Sequence, residues 1–521
     1  MLKINFRLTF MRNYFFAAVL FISPLVKAGD GIVTYPVEKT AVKSTVFSIT
    51  ANGHDIFTQK FKDINYVHFA HQGVIVVSIT CAETARSIEI SPRRDVYKEE
   101  VTGNKITFQL AKPGYHVITL NHNQRLFILT DDLNDSKPGK TKNKLVNVMS
   151  YGADSTGSSL CTVAIQKALD ETARQKKVLY FPAGIYKSGT IKLSSNSYVF
   201  LEAGAMIKGS ENRDDYPVDA GKKESDYVHD KEHYTDNGER MTFSRLILID
   251  SAVNVKIWGR GTIDGSGSVV RAQGKPANLI RIRNSRNVLI EGLLLRDPAC
   301  WNTHILHSKN ITIRNIKMIN DRSVANTDGF DPDASAKVLI DHCFAYCSDD
   351  NIAIKTTNNG GLLQNCENII VSNCVFLTKK SSLKLGTETK GSYMHDITFK
   401  NNYVVEADRG MVLYCYDGAI FKNIRFINNY FEKGYPDSQK KAIHFQIKKR
   451  NGEGQIENVL IRDCTFSESF QPSSEMAGLD SMHTINGIKF KNLSISGKLC
   501  LTAQDLHLKT NENVQNISFE K

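Results

Sequence analysis

Hydrophobic and polar residues alternate along the first part of the chain, over residues 31–130. Runs such as STVFSITANG, VIVVSITC and QRLFILTDD place β-branched and aromatic residues at every second position, with glycine and proline between the runs. A period of two is that of a β-strand with one buried face, and the glycines and prolines mark turns. The pattern predicts an antiparallel β-sandwich of about a hundred residues, within a domain at 29–133.

A second pattern, a polar residue followed by alternating β-branched residues, recurs from residue 254 to residue 461. From Val288 its first apolar positions are Val288, Ile311, Val338, Ile369, Ile397, Ile424 and Val459, which are 23, 27, 31, 28, 27 and 35 residues apart. Repeats of this length indicate stacked supersecondary units. The units leave no room for a crossover helix, and a propeller blade usually needs about 40 residues. The repeat therefore predicts a right-handed parallel β-helix at 145–521.

The position five residues after each first apolar residue is also informative. In the later units it is occupied by Cys343, Cys374, Asn402, Asn429 and Cys464. Stacked asparagines at a bend can hydrogen-bond from one turn to the next, and a small thiol can fill the same internal position. We therefore expect most of the ten cysteines to be buried thiols, with a Cys343–Cys347 or Cys366–Cys374 bridge as the alternative.

One amphipathic helix pattern stands between the two regions, in SSLCTVAIQKALDETARQKK at 158–177. Its apolar residues near helical spacing are Val163, Ile165, Leu169 and Thr172. A helix here could close the open end of the β-helix and protect its first turn from edge pairing. Before it, NDSKPGKTKNK at 134–144 is polar without an apolar period, which predicts a linker.

The first 28 residues predict an export signal. They combine a basic start, a mostly apolar run at 14–26 and small residues at the expected cleavage position. That run is too short to span a membrane, and no later run reaches about 18 apolar residues. We expect an exported protein, periplasmic, cell-surface or secreted, and a retained N-terminal anchor is the alternative.

The formal charge of +12 changes the picture little. Residues 1–28 contain four cations and no acid, so the mature chain would carry +8. A basic excess can favour anionic partners, but zinc-finger spacing, aromatic RNA-binding signatures and a dense Lys/Arg stripe are all missing from the sequence. We expect no nucleic-acid partner.

A stripe of similar segments recurs between the repeats: TDGFD at 327–331, SDDNIAIK at 348–355, KSSLKLGTE at 380–388 and RGMVLYCYD at 409–417. When the segments are aligned on Gly329, Asn351, Ser382 and Gly410, they fall on consecutive turns of the β-helix, about 4.8 Å apart. Asp328 then lies one turn from Asp350, with Asp349 beside it.

Three carboxyl groups this close resist joint ionisation, so at least one gains proton affinity. That carboxyl group can donate a proton to a glycosidic oxygen while another activates water. We therefore predict that Asp328, Asp349 and Asp350 are catalytic residues of glycosidic bond cleavage. Two other interpretations are ordinary Asx-turns and a calcium site.

The same residues carry a family resemblance. NTDG at 326–329 followed by CSDDNIAIK at 347–355 resembles the signature of glycoside hydrolase family 28, the polygalacturonase family. Family 49, which contains dextranases, has a similar trio of aspartates and a β-sandwich before its β-helix. The resemblance covers roughly residues 146–470. It implies an inverting hydrolase in which Asp349 is the general acid, while Asp328 and Asp350 position and deprotonate water.

The chain departs from the family 28 pattern at two cationic elements. A Gly-His-Gly element aligns with the segment at 380–386, which has no histidine, and an Arg-Ile-Lys element that grips galacturonate aligns with Val412-Leu413-Tyr414. A buried carboxylate without a cation is unfavourable. The departures therefore favour a neutral sugar at the scissile bond, with polygalacturonase activity as the alternative.

Further residues, on the stripe or in the turn before Asp328, are predicted to bind substrate, since aromatic planes can stack on sugars and polar groups can bond hydroxyls. They are Trp301, His304, Lys384, Glu388, Arg409, Tyr414 and Asp417. His444, in AIHFQIK, could replace the missing histidine.

We weigh two other functions. A polysaccharide lyase would need a uronic acid and a strong base, for which Arg409 is the one well-placed residue. A silent glycan-binding β-helix would be expected to lack paired acids on adjacent turns. The sequence predicts no cofactor and no metal requirement, and the expected partner is a polysaccharide or oligosaccharide.

Overall fold

The computed structural model describes residues 31–95, 97–133, 145–217, 244–357, 365–436, 441–467, 470 and 473–521. The predicted export signal at 1–28 and linker at 134–144 lie outside the described residues. None of the helices in the described ranges is long and apolar enough to cross a membrane.

The described residues between 31 and 133 form twelve strands in two sheets. The strands are β1 Ile32–Thr34, β2 Val42–Lys43, β3 Phe47–Ala51, β4 His54–Ile56, β5 Gln59–Phe61, β6 Ile64–His71, β7 Ile75–Cys81, β8 Ile88–Ser91, β9 Glu100–Thr102, β10 Lys105–Leu110, β11 Tyr115–Leu120 and β12 Gln124–Asp132. One sheet has the order β2-β5-β6-β12-β11-β8 with β1 beside β6, and the other has the order β4-β3-β7-β10-β9.

The alternation of hydrophobic and polar residues in the sequence matches the alternation of buried and exposed residues in the strands. In β10 every second residue, Ile106, Phe108 and Leu110, is buried in the core between the two sheets. The predicted sandwich is therefore confirmed. The prediction of a wholly antiparallel sandwich is wrong at one pair, because β6 and β12 run parallel. They are distant in sequence, and the alternation of a strand does not reveal its direction.

Between residues 145 and 521 the described residues form thirty-seven strands, numbered on from the first twelve. They are β13 Leu145–Asn147, β14 Thr156–Leu160, β15 Val178–Phe181, β16 Gly184–Ser188, β17 Ile191–Leu193, β18 Tyr198–Leu201, β19 Ala205–Gly209, β20 Ser244–Asp250, β21 Val253–Gly259, β22 Thr262–Asp264, β23 Ala277–Arg283, β24 Arg286–Glu291, β25 Leu294–Arg296, β26 Thr303–Leu306, β27 Lys309–Arg314, β28 Lys317–Ile319, β29 Phe330–Asp333, β30 Ala336–Asp341, β31 Phe344–Cys347, β32 Ile352–Thr356, β33 Cys366–Ser372, β34 Val375–Thr378, β35 Ser381–Thr389, β36 Tyr393–Lys400, β37 Tyr403–Ala407, β38 Arg409–Asp417, β39 Ile420–Ile427, β40 Tyr430–Gly434, β41 Lys441–Gly452, β42 Gln455–Arg462, β43 Thr465–Phe466, β44 Ser473–Ala477, β45 Ile485–Lys491, β46 Ser494–Ile495, β47 Lys498–Leu499, β48 Leu508–Thr510 and β49 Val514–Glu520.

These strands stack into three parallel sheets, one strand of each per turn. Sheet 1 has the order β13-β15-β18-β21-β24-β27-β30-β33-β36-β39-β42-β45-β49, sheet 2 has β14-β16-β19-β22-β25-β28-β31-β34-β37-β40-β43-β46-β47, and sheet 3 has β17-β20-β23-β26-β29-β32-β35-β38-β41-β44-β48. Among the described strands of these three sheets, β46 and β47, the last pair of sheet 2, are the one antiparallel pair. The predicted right-handed parallel β-helix is confirmed.

Two α-helices and two short 3₁₀ helices complete the described part. They are α1 Thr162–Gln175 and α2 Gly267–Ala272, with 3₁₀ turns at Val148–Tyr151 and Arg213–Asp215. Helix α1 packs Ile165 and Leu169 against the apolar core of the first turns. Val163 does not join this face and is 84% exposed, so its predicted place on the apolar stripe is wrong. It stands two positions before Ile165, where the buried face starts, and so projects from the opposite side of the helix.

The predicted internal ladder is present in the later turns. The backbone N–H of Cys374 donates to Oδ1 of Asn402 at 3.1 Å, and that of Asn402 donates to Oδ1 of Asn429 at 3.1 Å. At one end Cys343 N–H points to the Cys374 sulfur at 3.3 Å, and at the other Asn429 lies 3.9 Å from the Cys464 sulfur. All ten cysteines are buried and free, so neither of the two bridges considered from the sequence forms.

The sandwich packs on the outer face of sheet 2. Tyr66 and Phe127 of the sandwich share an apolar cluster with Phe344 and Tyr346 of β31. Buried ion pairs join the same surfaces, since Arg125 of β12 pairs with Glu406 of β37, and Asp131 pairs with Arg260 at 2.9 Å and with Lys317. The predicted catalytic stripe lies on a different sheet, on the outer face of sheet 3.

Candidate active site

Asp328, Asp349 and Asp350 lie in two turns that lead into neighbouring strands of sheet 3. Asp328 precedes β29, the other two precede β32, and Phe330 pairs with Ile352 in the ladder between these strands. One carboxylate oxygen from each aspartate lies within 4.8 Å of one from each of the other two. The structure thus brings the three predicted residues into a single cluster.

The register of sheet 3 explains this convergence. Ile352 pairs with Leu383 and Leu383 pairs with Met411, so the preceding positions, Asn351, Ser382 and Gly410, follow one another on successive turns. This is the alignment that the sequence predicted for the stripe.

The two turns are also fastened to each other. Gly329 N–H donates to the Asp350 carbonyl at 2.8 Å, and the hydroxyl groups of Thr327 and Ser348 bond at 2.6 Å. A Cβ at position 329 would lie 2.4 Å from the Asn351 carbonyl oxygen. A glycine is therefore required where the two turns approach each other.

Asp350 is held as a carboxylate. Lys384 Nζ donates to its Oδ2 at 2.6 Å, and Ser381 N–H donates to its Oδ1 at 2.9 Å. Burial alone would raise the pKa of Asp350, but the Lys384 ammonium, together with the Arg409 guanidinium, outweighs burial and lowers that pKa below its usual value.

The pKa of Asp349 is shifted in the opposite direction. Burial, followed by the negative charge of Asp350, raises the pKa of Asp349 above its usual value. Adjacent carboxyl groups whose environments separate their pKa values are the arrangement that general acid–base catalysis needs. Asp349 is also the most accessible of the trio, since it is half-buried while the other two are buried.

Asp328 belongs to a second ionic group, centred on Lys355 of β32. Lys355 Nζ lies 3.4 Å from Asp328 Oδ2, 3.2 Å from Asp331 Oδ1 and 3.9 Å from Glu388 Oε2. Burial and the neighbouring Asp331 raise the pKa of Asp328 well above its usual range, and burial raises the pKa of Asp331 to about 7. Glu388 therefore lies in the cluster, and its predicted contact with substrate stays a prediction.

Trp301 and His304 lie beneath this group. The Lys355 ammonium stands 3.7 Å from the centre of the Trp301 ring, and the ring meets His304 edge-on at 4.9 Å. His304 is fully buried and bonds Asp333 at 3.0 Å. The expectation that His304 contacts a sugar hydroxyl is wrong for this structure, because its imidazole faces Asp333 between turns of sheet 3.

Arg409, Tyr414 and His444 form a hydrogen-bonded chain two to three turns beyond the trio. Arg409 Nη1 donates to the Tyr414 hydroxyl at 3.1 Å, and that hydroxyl lies 2.6 Å from His444 Nδ1. The Lys384 ammonium is 5.8 Å from the centre of the Tyr414 ring. Burial lowers the pKa of His444 to about 4, so its imidazole is neutral at pH 7. It therefore lacks the positive charge of the family 28 residues that bind galacturonate.

Asp417 is placed apart from these groups. Arg450 forms two hydrogen bonds to its carboxylate, at 2.8 and 2.6 Å, and Thr389 N–H donates to it at 3.0 Å. Its side chain has no exposed surface. The prediction that Asp417 binds substrate is therefore wrong for this structure, because Arg450 and the β35 backbone occupy its carboxylate.

Sequence reasoning missed two members of the cluster, Asp331 and Lys355. Both stand within the segments that were aligned, and both lie on the outward-facing positions of their strands, since Phe330 and Ile354 face the core. The period of two after Gly329 and Asn351 could have identified them. Together with Lys384, they complete a cluster in which carboxyl groups pair with lysine ammonium groups.

A parallel β-helix with clustered carboxyl groups of unequal proton affinity on one outer face suits acid–base cleavage of a glycosidic bond. The chain belongs to glycosyl hydrolases family 28, whose family model matches residues 174–511. It is therefore a glycoside hydrolase, as the sequence predicted.

Curated relatives are similar over part of their length. The exo-poly-alpha-D-galacturonosidase of Dickeya chrysanthemi is 25% identical over 72% of this chain and 71% of that protein. A probable polygalacturonase of Vitis vinifera is 28% identical over 40% of this chain, and an endo-polygalacturonase of Pectobacterium carotovorum is 27% identical over 45%. The chain spans 44% and 60% of the length of these last two relatives.

Solved structures share the fold at lower identity. The family 28 exopolygalacturonase of Yersinia enterocolitica matches with a TM-score of 0.57 and 17% identity, over 89% of this chain and 98% of that one. Dex49A from Penicillium minioluteum matches with a TM-score of 0.63 and 12% identity, over 94% and 99%. Both matches extend over the sandwich as well as the β-helix, and they show a shared fold.

Proposed function

We propose that this chain hydrolyses a polygalacturonase-type substrate, a pectic polysaccharide, by acid–base catalysis with inversion at the anomeric carbon. Asp349 gives its proton to the glycosidic oxygen as the bond from that oxygen to the anomeric carbon breaks. A water held by Asp328 and Asp350 forms the new bond to carbon, and its proton passes to one of these carboxylates. The opposite displacement of the pKa values of Asp349 and Asp350 carries this proposal.

Inversion is proposed on the likeness to family 28. The carboxyl oxygens lie within 4.8 Å of one another, whereas carboxyl groups of inverting glycosidases are usually about 6.5–9.5 Å apart. Proton NMR of the first anomer released decides the matter. Release of the anomer that is opposite to the substrate linkage supports the proposal, and release of the same anomer would replace it with a retaining mechanism.

The charge of the sugar at the scissile bond is the finer part of the proposal. Lys384 pairs with Asp350 at 2.6 Å, and Lys355 lies beside three carboxylates. Val412 and Tyr414 occupy the positions where the family has cations. Cations already neutralised by carboxylates attract a further carboxylate weakly. We therefore infer a neutral residue at the scissile bond, with acidic residues at outer subsites.

An acidic sugar at the scissile bond is the second candidate. The Nε of Arg409 is buried without a hydrogen-bond partner among the described residues, and the curated relatives named above are polygalacturonan-cleaving enzymes by name. A galacturonate carboxylate could meet Arg409 if Tyr414 released it.

A matched pair of substrates separates the two candidates. Polygalacturonate and fully methyl-esterified galacturonan have the same backbone and differ in charge at every sugar. A higher kcat/KM on the esterified chain supports a neutral sugar at the scissile bond, and a higher kcat/KM on polygalacturonate would overturn that inference in favour of Arg409. Dextran is a neutral control with a different backbone.

The same assay tests the lyase alternative. Elimination would produce unsaturated ends that absorb in the ultraviolet, whereas hydrolysis produces reducing ends without that absorbance. The Tyr414 hydroxyl and Asp408 keep Arg409 a cation, since both raise its pKa against burial, so its guanidinium is a poor base. Hydrolytic products alone support the proposal.

Export and metal-free activity remain parts of this proposal. Cell fractionation with an antibody to the sandwich would locate the protein, and recovery in the cytoplasm would overturn the proposed export. Activity after dialysis against a chelator tests whether a metal is needed.

A further inference from the structure

The connections that lead into the strands of sheet 3 differ in length on the two sides of the trio. On the turn of Asp328 and the two turns before it they span 265–276, 297–302 and 320–329, which are twelve, six and ten residues. On the turn of Asp349 and the two turns after it they span 348–351, 379–380 and 408, which are four, two and one. A residue spans at most about 3.6 Å of chain, so the long connections can rise above the sheet and the short ones only join neighbouring strands.

The three connections on the earlier turns pack directly on one another. Helix α2 belongs to the first of them, and Gly267 N–H at its start donates to the Asp297 carbonyl of the second at 2.8 Å. Asn302 N–H, at the end of the second, donates to the Asp328 carbonyl of the third at 3.0 Å. Every residue of the second connection, 297–302, is buried. The earlier turns therefore present one continuous body of chain beside the trio.

Arg271 of helix α2 joins all three of these connections. Its Nη1 donates to the Ala299 carbonyl at 3.1 Å, and its Nη2 donates to Oδ1 of Asn326 at 3.2 Å. Asn326 stands two residues before Asp328 in the chain. We call the segments 265–276 and 320–329, with the Arg271 bridge between them, the wall.

The sandwich braces the wall through one lysine. Lys62 lies in the turn between β5 and β6, and its Nζ donates to the Ser268 hydroxyl of helix α2 at 2.8 Å. The same ammonium lies 3.1 Å from Oδ2 of Asp321, in the connection that carries Asp328. Lys62 thus holds both segments of the wall from the sandwich side.

The outer face of sheet 3 is more accessible on the later turns than on the earlier ones. On the earlier turns, Arg281 and His304 are in register with Asp331, and they are 2% and 0% exposed. The groups that keep exposed surface on the later turns are Asp349, Lys380, Arg409, Tyr416 and Gln446. A polysaccharide that reaches the trio can therefore continue over the later turns, while the wall stands in its way on the earlier ones.

We propose that the wall makes this enzyme exo-acting, with the end of the polysaccharide held against the wall beside Asp328 and one short product of fixed length released at each cleavage. This inference rests on the proposed function and adds its mode of action. The relatives named above include an exo-acting and an endo-acting enzyme by name, so likeness does not decide between the two modes.

The position of the acid gives the direction of the substrate. In the proposed mechanism Asp349 protonates the leaving oxygen, and Asp349 lies one turn further from the wall than Asp328. The leaving group, which contains the reducing end, therefore lies over the later turns. The sugar at the wall is the non-reducing end, and the released product comes from that end.

Product lengths and viscosity on polygalacturonate and on methyl-esterified galacturonan test the mode of action. A single short product is expected from the first minutes, with little loss of viscosity while reducing ends accumulate. A ladder of product lengths with an early loss of viscosity would overturn the inference. Oligomers of the cleaved substrate, labelled at the reducing end, test the direction. The label should stay on the shortened chain, and a label on the short product would overturn the assigned direction.

Variants of the wall test its residues. Arg271→Ala removes the bridge and should add longer products, with a several-fold rise in viscosity loss per reducing end. Lys62→Met removes the brace and should change the products in the same direction. Val269→Ala is the matched control, because this side chain of the same helix is 44% exposed, and it should keep the wild-type product. Circular dichroism checks folding, and Lys62→Met carries the test if Arg271→Ala does not fold. Wild-type products from the folded variants would overturn the role of the wall.

Failure of the proposed function would look different from failure of this inference. If neither substrate is hydrolysed, the proposed function fails and the inference falls with it. If hydrolysis gives a ladder of lengths with wild-type enzyme, the proposed function stands and only the closing role of the wall is overturned.

Discussion

The Lys384 ammonium lies 2.6 Å from Oδ2 of Asp350, although the two residues belong to different turns and are 34 positions apart in the chain. Lys384 is on the outward side of β35, between the core residues Leu383 and Leu385. This pairing joins the stripe predicted from the sequence to the ionisation of its carboxyl groups, and it leads to the first prediction.

Lys384→Met should slow the reaction and move its optimum to higher pH. Without the ammonium, burial raises the pKa of Asp350, so the carboxylate that holds water forms only at higher pH. Loss of the charged partner should cost about 10²-fold in kcat near neutral pH, the lower end of acid–base contributions. Lys384→Arg, which keeps the charge, is the control, and an unchanged profile in the methionine variant would contradict the assignment.

Asp349→Asn should abolish turnover and leave the fold and substrate binding largely intact. Asp349 is half-buried in the turn before β32, and asparagine has the same shape but no acidic proton. General acid help is worth about 10²–10⁴-fold. Retention of more than about a tenth of the wild-type rate on a substrate with a poor leaving group would refute its role as the acid. Isothermal titration with oligogalacturonates checks binding.

Gly329→Ala should remove activity by separating the two catalytic turns. The new Cβ would lie 2.4 Å from the Asn351 carbonyl oxygen and 3.3 Å from the Cys347 sulfur, so one turn must move and Asp328 with it. Gly114→Ala serves as the control, because its Cβ would meet only the tip of His116 at 3.6 Å. Equal activity and melting temperature in the two variants would show that the close approach is unimportant.

Arg125→Met should destabilise the contact between the sandwich and the β-helix. Glu406 is 2% exposed, and Arg322 at 2.9 Å would be its remaining cation. Removal of one partner of a buried ion pair typically costs about 3–5 kcal/mol. Lys433→Met, which breaks the more exposed pair with Glu89, should cost about 1 kcal/mol or less. Denaturant unfolding measures both, and similar small losses would count against the buried pair.

The pH dependence of stability should follow from the same pair. Burial opposes the charge of Glu406, but Arg125 and Arg322 outweigh it and lower its pKa to about 2 from 4.5. A lowered pKa in the folded state stabilises the fold above the unfolded-state pKa, and this contribution is lost as pH falls from 4.5 towards 2. Arg125→Met should therefore show a shallower loss of melting temperature over this range than wild type.

Chelation should leave activity unchanged. Lys384 and Lys355 already bring two ammonium groups to the carboxyl cluster, and the proposed chemistry uses protons and water alone. Reducing-end assays after exhaustive dialysis against EDTA check this expectation. Activity that disappears and returns with calcium would show that the trio works with a cation.

The repeat of apolar positions was enough to predict the β-helix and its register. A period of two defines the buried face of each strand, and aligned glycine and polar residues bring Asp328 next to Asp350. The parallel pairing of β6 with β12 could not be predicted in this way, because a local alternation is the same in both strand directions. The docking of the sandwich on sheet 2 depends on contacts such as Arg125 with Glu406, which are far apart in the chain.

The candidate site was predicted in its carboxyl groups but not in its cations. Two consecutive aspartates, Asp349 and Asp350, are conspicuous in the sequence. Lys355 is not, because it occupies an outward-facing position where lysine is common. Whether such a lysine faces solvent or carboxylates depends on neighbouring turns, here Asp331 and Glu388. His304 and Asp417 show the same limit in reverse, since their chemistry suits a sugar but Asp333 and Arg450 occupy them.

The internal ladder of thiols and amides has a practical consequence. Burial raises the pKa of the Cys464 thiol to about 12 and that of Cys374 well above its usual value, so both stay protonated and resist oxidation. All ten cysteines are free, and the fold owes nothing to cross-links. A protein built in this way can be made in a reducing bacterial cytoplasm, without oxidative folding catalysts, and should keep its melting temperature in dithiothreitol.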